Sequence, residues 1–139
     1  MGEQIAIVVD EGDQGSSHVE RAIDSAREHE ATLHGLYVID AWRFGEYSVD
    51  GWSVLEREKQ EEKGKQVLEQ IRQQCERHGV EFEQETTVGK PSETIRDFVR
   101  DNDIDLLVFC EPRGEGKTHN SPQMIRDLQR ELSVEIETV

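Results

Sequence analysis

The sequence predicts an α/β fold: one domain over residues 1–139, a five-stranded parallel, doubly wound sheet of order 3-2-1-4-5 with helices on both faces. Three observations carry this reading. Two continuous apolar runs, Ile5–Val9 and Leu106–Cys110, have the pattern of strands covered on both faces. Two others, beginning at Val80 and Val134, place a glutamate at every second residue, as edge strands with one wet face do. Amphipathic helical stretches separate successive strands, and that alternation builds a parallel sheet through crossover connections.

Each element follows in order. The run Ile5–Val9 stops at Asp10 and leads into the turn EGDQG. Ser17 and Glu20 then have capping-box spacing, opening a helix whose Val19, Ala22, Ile23 and Ala26 form one stripe and which stops near Glu30. A second strand, Thr32–Ile39, also ends in an aspartate, Asp40. The connection after it holds Trp42, Phe44, Tyr47 and Trp52, half of the chain's aromatics, a composition suited to packing rather than to free solvent. A long helix comes next, with Ser53 and Glu56 as a second capping box and Val67, Leu68, Ile71 and Cys75 as its stripe. Its first half, EREKQEEK, is polar nearly all round and is expected to project beyond the sheet or fray. Gly79 supplies the left-handed stop. After the alternating run Val80–Thr86, Pro91 takes the first turn of a third helix that buries Ile95, Phe98 and Val99. Asp105 leads into the second central strand. Ser121 as N-cap and Pro122 at the next position open a last helix with Met124, Ile125, Leu128 and Leu132 at core spacing, before Val134 and Ile136 alternate with Glu135 and Glu137.

Composition narrows the function. With 31 acidic and 16 basic residues the net charge is -15 and the pI about 4.6, so the surface repels phosphate backbones and anionic lipid. Nucleic acid and membrane are not expected partners. The acid excess covers predicted helix faces, and eleven arginines stand against five lysines, a distribution like that of haloadapted cytosolic proteins. Cys75 and Cys110 suggest no disulfide framework and are expected to be reduced. The N-terminus MGEQIAIVVD has no basic leader, and no apolar run approaches the ~18 residues of a membrane span. A cytoplasmic location is expected.

No enzyme is expected either. His18, His29, His34, His78 and His119 form no shared-face pair and have no cysteine at ligand spacing, so no metal site is predicted. Without a G-x-S-x-G elbow, Ser16, Ser17 and Ser121 read as turn and cap residues rather than nucleophiles.

The strand order locates a site nonetheless. Winding reverses between the first and fourth strands, so Asp10 and the Cys110–Glu111 end of the fourth strand flank the switch-point crevice where such sheets bind ligands. Beyond that strand a glycine-containing loop opens a helix, the arrangement that presents backbone amides to anions.

In order along the chain, IAIVVDEGDQGSS, HVERAIDSAREHEATLHGLYVID, Gly89-Lys90-Pro91 before a helix and Asp105–Val108 before a glycine-containing loop resemble the universal stress protein family across essentially the whole length. The resemblance implies an adenine nucleotide alpha hydrolase-like fold and a cytoplasmic dimer in stress tolerance, many members binding ATP in the crevice. It assigns Asp10 to the adenine side and the Val38 backbone to adenine itself. The family's phosphate loop reads G-x2-G-x9-G-[ST]. Here Cys110 and Glu111 stand at the first glycine and its neighbour, Gly114 at the second, and Asn120-Ser121 at the final pair, with only five residues between Gly114 and Asn120. The loop is thus about four residues short, and a side chain replaces hydrogen where backbone must approach a phosphate.

Carboxylates at Asp10, Glu11, Asp13, Asp40 and Glu111 would oppose a triphosphate, so ATP or AMP would need Mg2+ or the donors Arg113, Lys117 and the amides after Ser121. The expectation is a non-enzymatic stress protein whose nucleotide binding is weak or lost and which acts by dimerisation and protein interaction. The alternative is an ATP-binding member with slow Mg2+-dependent hydrolysis. The fifth strand, with Val134 and Ile136, is the expected homodimer edge.

Overall fold

In the computed structural model, residues 3–10, 12–40, 54–109 and 122–139 are described. The strands are β1 (Gln4–Val9), β2 (Thr32–Asp40), β3 (Phe82–Gly89), β4 (Leu106–Phe109) and β5 (Glu135–Thr138). The helices are α1 (Ser17–Glu28), α2 (Val54–Arg77), α3 (Pro91–Asp101) and α4 (Pro122–Glu131), and a 3-10 turn, Asp13–Gly15, precedes α1. All five strands pair parallel in the order β3-β2-β1-β4-β5, the order expected.

The centre of this sheet is β1. Residues Ile5 to Val9 are each at most 1% exposed, because β2 and β4 flank them and helices cover both faces. Alternation splits their side chains: Ile5, Ile7 and Val9 join Val19, Ala22, Leu68, Ile71 and Cys75 under α1 and α2. Ala6 and Val8 join Ile95, Phe98, Leu107, Phe109 and Leu128 under α3 and α4. Each such large aliphatic side chain contributes about 1.5–3 kcal/mol by leaving water. The edges are wetter. Glu83, Glu85 and Thr86 of β3 and Glu135 and Thr138 of β5 are exposed.

Three of the four helices end alike. In the left-handed conformation at Glu30 (φ 52°), Gly79 (φ 69°) and Asp103 (φ 50°), the chain lets the next residue's amide reach back to a carbonyl of the last turn. The bonds are Ala31 N to Ala26 O at 2.8 Å, Val80 N to Cys75 O at 2.8 Å and Ile104 N to Val99 O at 3.1 Å. Glycine marks just one of these stops. Glu30 itself is part of the stop, so α1 ends two residues before it.

Two local expectations are corrected. Ser17 does not cap α1: the N-cap is Ser16, and no side chain caps the helix, because the Ser16 hydroxyl is engaged by His18 instead. Ser53, the cap of the second proposed box, lies outside the described residues. Nor does the polar half of α2 fray. The helix is continuous from Val54, and it packs through Gln60, 8% exposed, and Gly64 against the 3-10 turn and Tyr37. A Cβ on Gly64 would lie 2.7 Å from Cδ1 and 2.9 Å from Cγ of the buried Tyr37 ring. The missing side chain, not an apolar one, makes that contact possible.

His34 is a buried polar residue of β2, edge-on to Phe98 with ring centroids 6.0 Å apart. Its Nε2–H donates to Gln4 Oε1 at 2.5 Å. Burial lowers its pKa from the usual histidine value, against the opposing pull of Glu83, Glu81 and Glu85.

Two predictions follow from this packing. Gly64→Ala gains about 1 kcal/mol of helix propensity yet loses more by overpacking Tyr37, for a net destabilisation of about 1–2 kcal/mol in urea unfolding. For His34 the folded state favours the neutral ring, so its contribution is fully present above the unfolded histidine pKa of about 6.5 and is lost as pH falls below it. Thermal melts from pH 8 to pH 5 should therefore fall more steeply for the native protein than for His34→Gln.

Candidate functional site

The site is set by where β1 stops. Its register with β2 ends at Val9 opposite Tyr37, so Asp10 and Val38 reach the same level at the carboxyl edge. Backbone alternation fixes which way Val38 faces. Leu33 N–H donates to Glu81 O of β3 at 2.9 Å and Thr32 N–H to Glu3 O at 3.0 Å, so odd residues of β2 turn to β3 and even ones, Val38 included, toward β1. The Val38 side chain is buried at 1% exposure, which leaves its backbone as the group a ligand could meet. Two of the sequence-predicted site residues are thus brought together.

The turn leaving β1 is held by the Asp13 side chain. Asp13 Oδ2 accepts the Asp10 amide at 2.8 Å, and the Asp13 amide donates to Asp10 O at 3.1 Å. Asp13 therefore caps the turn, as Asx residues do, and its side chain is 18% exposed. Asp10 enters the turn through its backbone and keeps a partly exposed position at the crevice edge. Of the five carboxylates expected to line the crevice, one is thereby committed to structure. Asp40 closes β2 opposite Gly89.

Behind this turn lies a pair that sequence reasoning missed. His18, 0% exposed, meets Ser16 Oγ through Nδ1 at 2.6 Å, Val8 O through Nε2 at 3.3 Å and Asp13 Oδ2 at 3.9 Å. A carbonyl only accepts, so Nε2 carries a proton; in the neutral ring the Ser16 hydroxyl then donates to Nδ1. The imidazole ties the last strand residues, the turn and the start of α1 into one unit. Its only sequence signal was a histidine in the first turn of a helix that follows a central strand.

Cys110, Arg113, Gly114, Asn120 and Ser121 lie outside the described residues, as do Glu11, Lys117, Glu111 and the aromatic connection Trp42–Trp52. The elements on either side of them are described: β4, paired with β1, ends at Phe109, and α4 begins at Pro122. Among the described residues no group of three or more His, Cys, Asp or Glu could hold a metal ion, and no helix is long and apolar enough to cross a membrane. Cys75 is fully buried, and burial, with Glu76 adding to it against Arg72, pushes its thiol up to about 12. It is thiol at neutral pH and inert as a nucleophile.

Known proteins share this architecture. The chain is 28% identical over 106 residues to a universal stress protein of Methanocaldococcus jannaschii, a match that covers 76% of this chain and 62% of that relative's length. A universal stress family protein from Burkholderia pseudomallei superposes with a TM-score of 0.76 at 18% identity, covering 99% of this chain and 95% of that one. The Archaeoglobus fulgidus universal stress protein in complex with dAMP superposes at 0.68 with 17% identity, covering 98% and 96%. An Arabidopsis thaliana family protein with AMP bound superposes at 0.64 with 19% identity, covering 99% and 90%. The model of the universal stress protein family matches residues 1–116, and the chain belongs to that family.

Proposed function

We propose that this chain is a non-enzymatic, cytoplasmic stress-response protein whose switch-point crevice binds adenine nucleotide weakly or not at all. It acts by dimerisation and by binding other proteins. The observation that carries the reading is a kept frame with an altered loop. Asp10 and Val38 stand at one level beside the end of β1, as an adenine site needs, and relatives of this fold hold dAMP and AMP. The phosphate segment differs: Cys110 and Glu111 replace its first glycine and neighbour, and Gly114 and Asn120 are separated by five residues. Side chains at those positions would hold off the backbone amides that a glycine would bring against a phosphate.

The dimer reading rests on β5. Glu135 N–H donates to Asp105 O at 3.3 Å and Val139 N–H to Phe109 O at 3.0 Å, so odd residues turn to β4 and Val134, Ile136 and Thr138 present their backbone groups outward. Ile136 lies partly buried against the core under α3 and α4, which gives that edge an apolar footing.

Calorimetry with ATP and with AMP in molar KCl and Mg2+ tests the crevice. The expected dissociation constant is on the order of millimolar or weaker. A micromolar value overturns the altered-site reading, and sustained phosphate release that vanishes in Asp10→Ala overturns the non-enzymatic one. Light scattering tests the edge: a dimer mass is expected, falling to the monomer in Ile136→Pro, which removes an outward amide without touching the pairing to β4.

A further inference from the structure

We infer that the outer edge of β3 is a docking site for an extended segment of another protein, with acidic side chains on one of its faces and basic ones on the other. The reading that this protein works by binding other proteins is presupposed; the site itself is independent of the nucleotide crevice.

Backbone geometry comes first. Leu33 N–H donates to Glu81 O, and the register continues from Leu33 opposite Phe82 to Asp40 opposite Gly89. Odd residues of β3 therefore bond to β2, while Phe82, Gln84, Thr86 and Val88 turn their amides and carbonyls to the open edge. Eight residues is long for an exposed edge, and a strand can be added there by main-chain bonds alone.

A groove runs along this edge. It has a volume of about 640 Å3 and lies between β3 and the first half of α2, lined by Arg57, Glu61 and Lys65 on the helix and by Gln84, Thr86 and Val88 on the strand. Thus the polar half of α2, which has little apolar surface of its own, forms the groove's wall. Arg57 is paired with Glu61 at 3.0 Å, and Lys65 has no ion-pair partner among the described residues, so the wall is locally positive on a chain of charge -15. Arg72 holds the groove-lining Gln84, donating to its Oε1 through Nε at 3.0 Å and through a second guanidinium N–H at 2.9 Å.

Charge then selects the occupant. On the opposite face of β3 stand the exposed Glu83 and Glu85, preceded by Glu81. Successive side chains of an added strand point alternately to the two faces, so a matching segment carries Asp or Glu toward Arg57 and Lys65 and Lys or Arg toward Glu83 and Glu85. A second copy of this chain does not fit. Antiparallel β3–β3 pairing across a twofold axis would set the copies' Glu83 and Glu85 against each other with no Arg or Lys partner among the described residues, whereas on β5 Glu137 is paired with Arg21 at 3.1 Å.

The test is a phage-displayed random dodecapeptide library panned without nucleotide. Enriched peptides are expected to alternate acidic with basic residues. Their synthetic versions should slow hydrogen exchange at the Gln84, Thr86 and Val88 amides. Arg57→Glu with Lys65→Glu should weaken them roughly tenfold or more. Thr86→Pro, which deletes an outward amide, should abolish binding while leaving the melting temperature of the free protein near the native value. The proposal is overturned if no peptide is enriched, if enriched peptides lack the alternation, or if they bind without protecting those three amides. None of these outcomes bears on nucleotide affinity, so the crevice reading stands or falls separately.

Discussion

The burial of β1 on both faces is the constraint from which the rest follows. Five consecutive residues without contact to water require a strand on each side and helices above and below, which only the doubly wound arrangement supplies at this length. A strand so enclosed has no room for polar chemistry along its length. Polar groups are left to its end, where Asp10 leaves the sheet, and to the two outer strands. The negative charge obeys the same rule. It collects on the outer helix faces and on the edges, because burying an unpaired carboxylate would cost several kcal/mol.

Much of this was legible because it depends on local pattern. Continuous apolar runs at Ile5 and Leu106 and alternating ones at Val80 and Val134 sort strands into centre and edge, and the sorting gives the strand order and hence the position of Asp10 and Val38. What was not legible depends on contacts between segments. Glu30 and Asp103 adopt left-handed conformations that their residue types do not announce, whereas Gly79 does. The role of Asp13 is invisible while Asp10, three residues earlier, is an equal candidate for capping the turn; only the fold decides which carboxylate swings inward. His18 looked like one scattered histidine among five. The first half of α2 lacked an apolar stripe, and its packing depends on the absence of a side chain at Gly64, which periodicity does not count.

The two edges differ in the footing they offer. At β5 the outward backbone groups sit beside Ile136, partly buried, in a strand of four residues. Along β3 the strand is twice as long, and the neighbouring helix overhangs it with arginine and lysine rather than with apolar side chains. A short strand footed on an apolar side chain suits one kind of association; a long, charge-sorted one suits another. An acidic chain gains selectivity from the second, since like charges on two copies repel while a segment of mixed sign is attracted to both faces.

The shared ending of α1, α2 and α3 has an evolutionary consequence. A left-handed residue followed by an amide reaching back into the helix lets the chain reverse in three or four residues, and the four connections entering the strands at their amino ends are all that short. An insertion there would displace the bonded turn and the strand register with it. Two of the connections leaving the carboxyl ends are far longer, residues 41–53 and 110–121 at thirteen and twelve, while Lys90 alone joins β3 to α3. Sequence drift in length is thereby directed to one rim of the sheet, the rim that holds the crevice. A change in loop length at that rim is one that such a scaffold absorbs without unfolding.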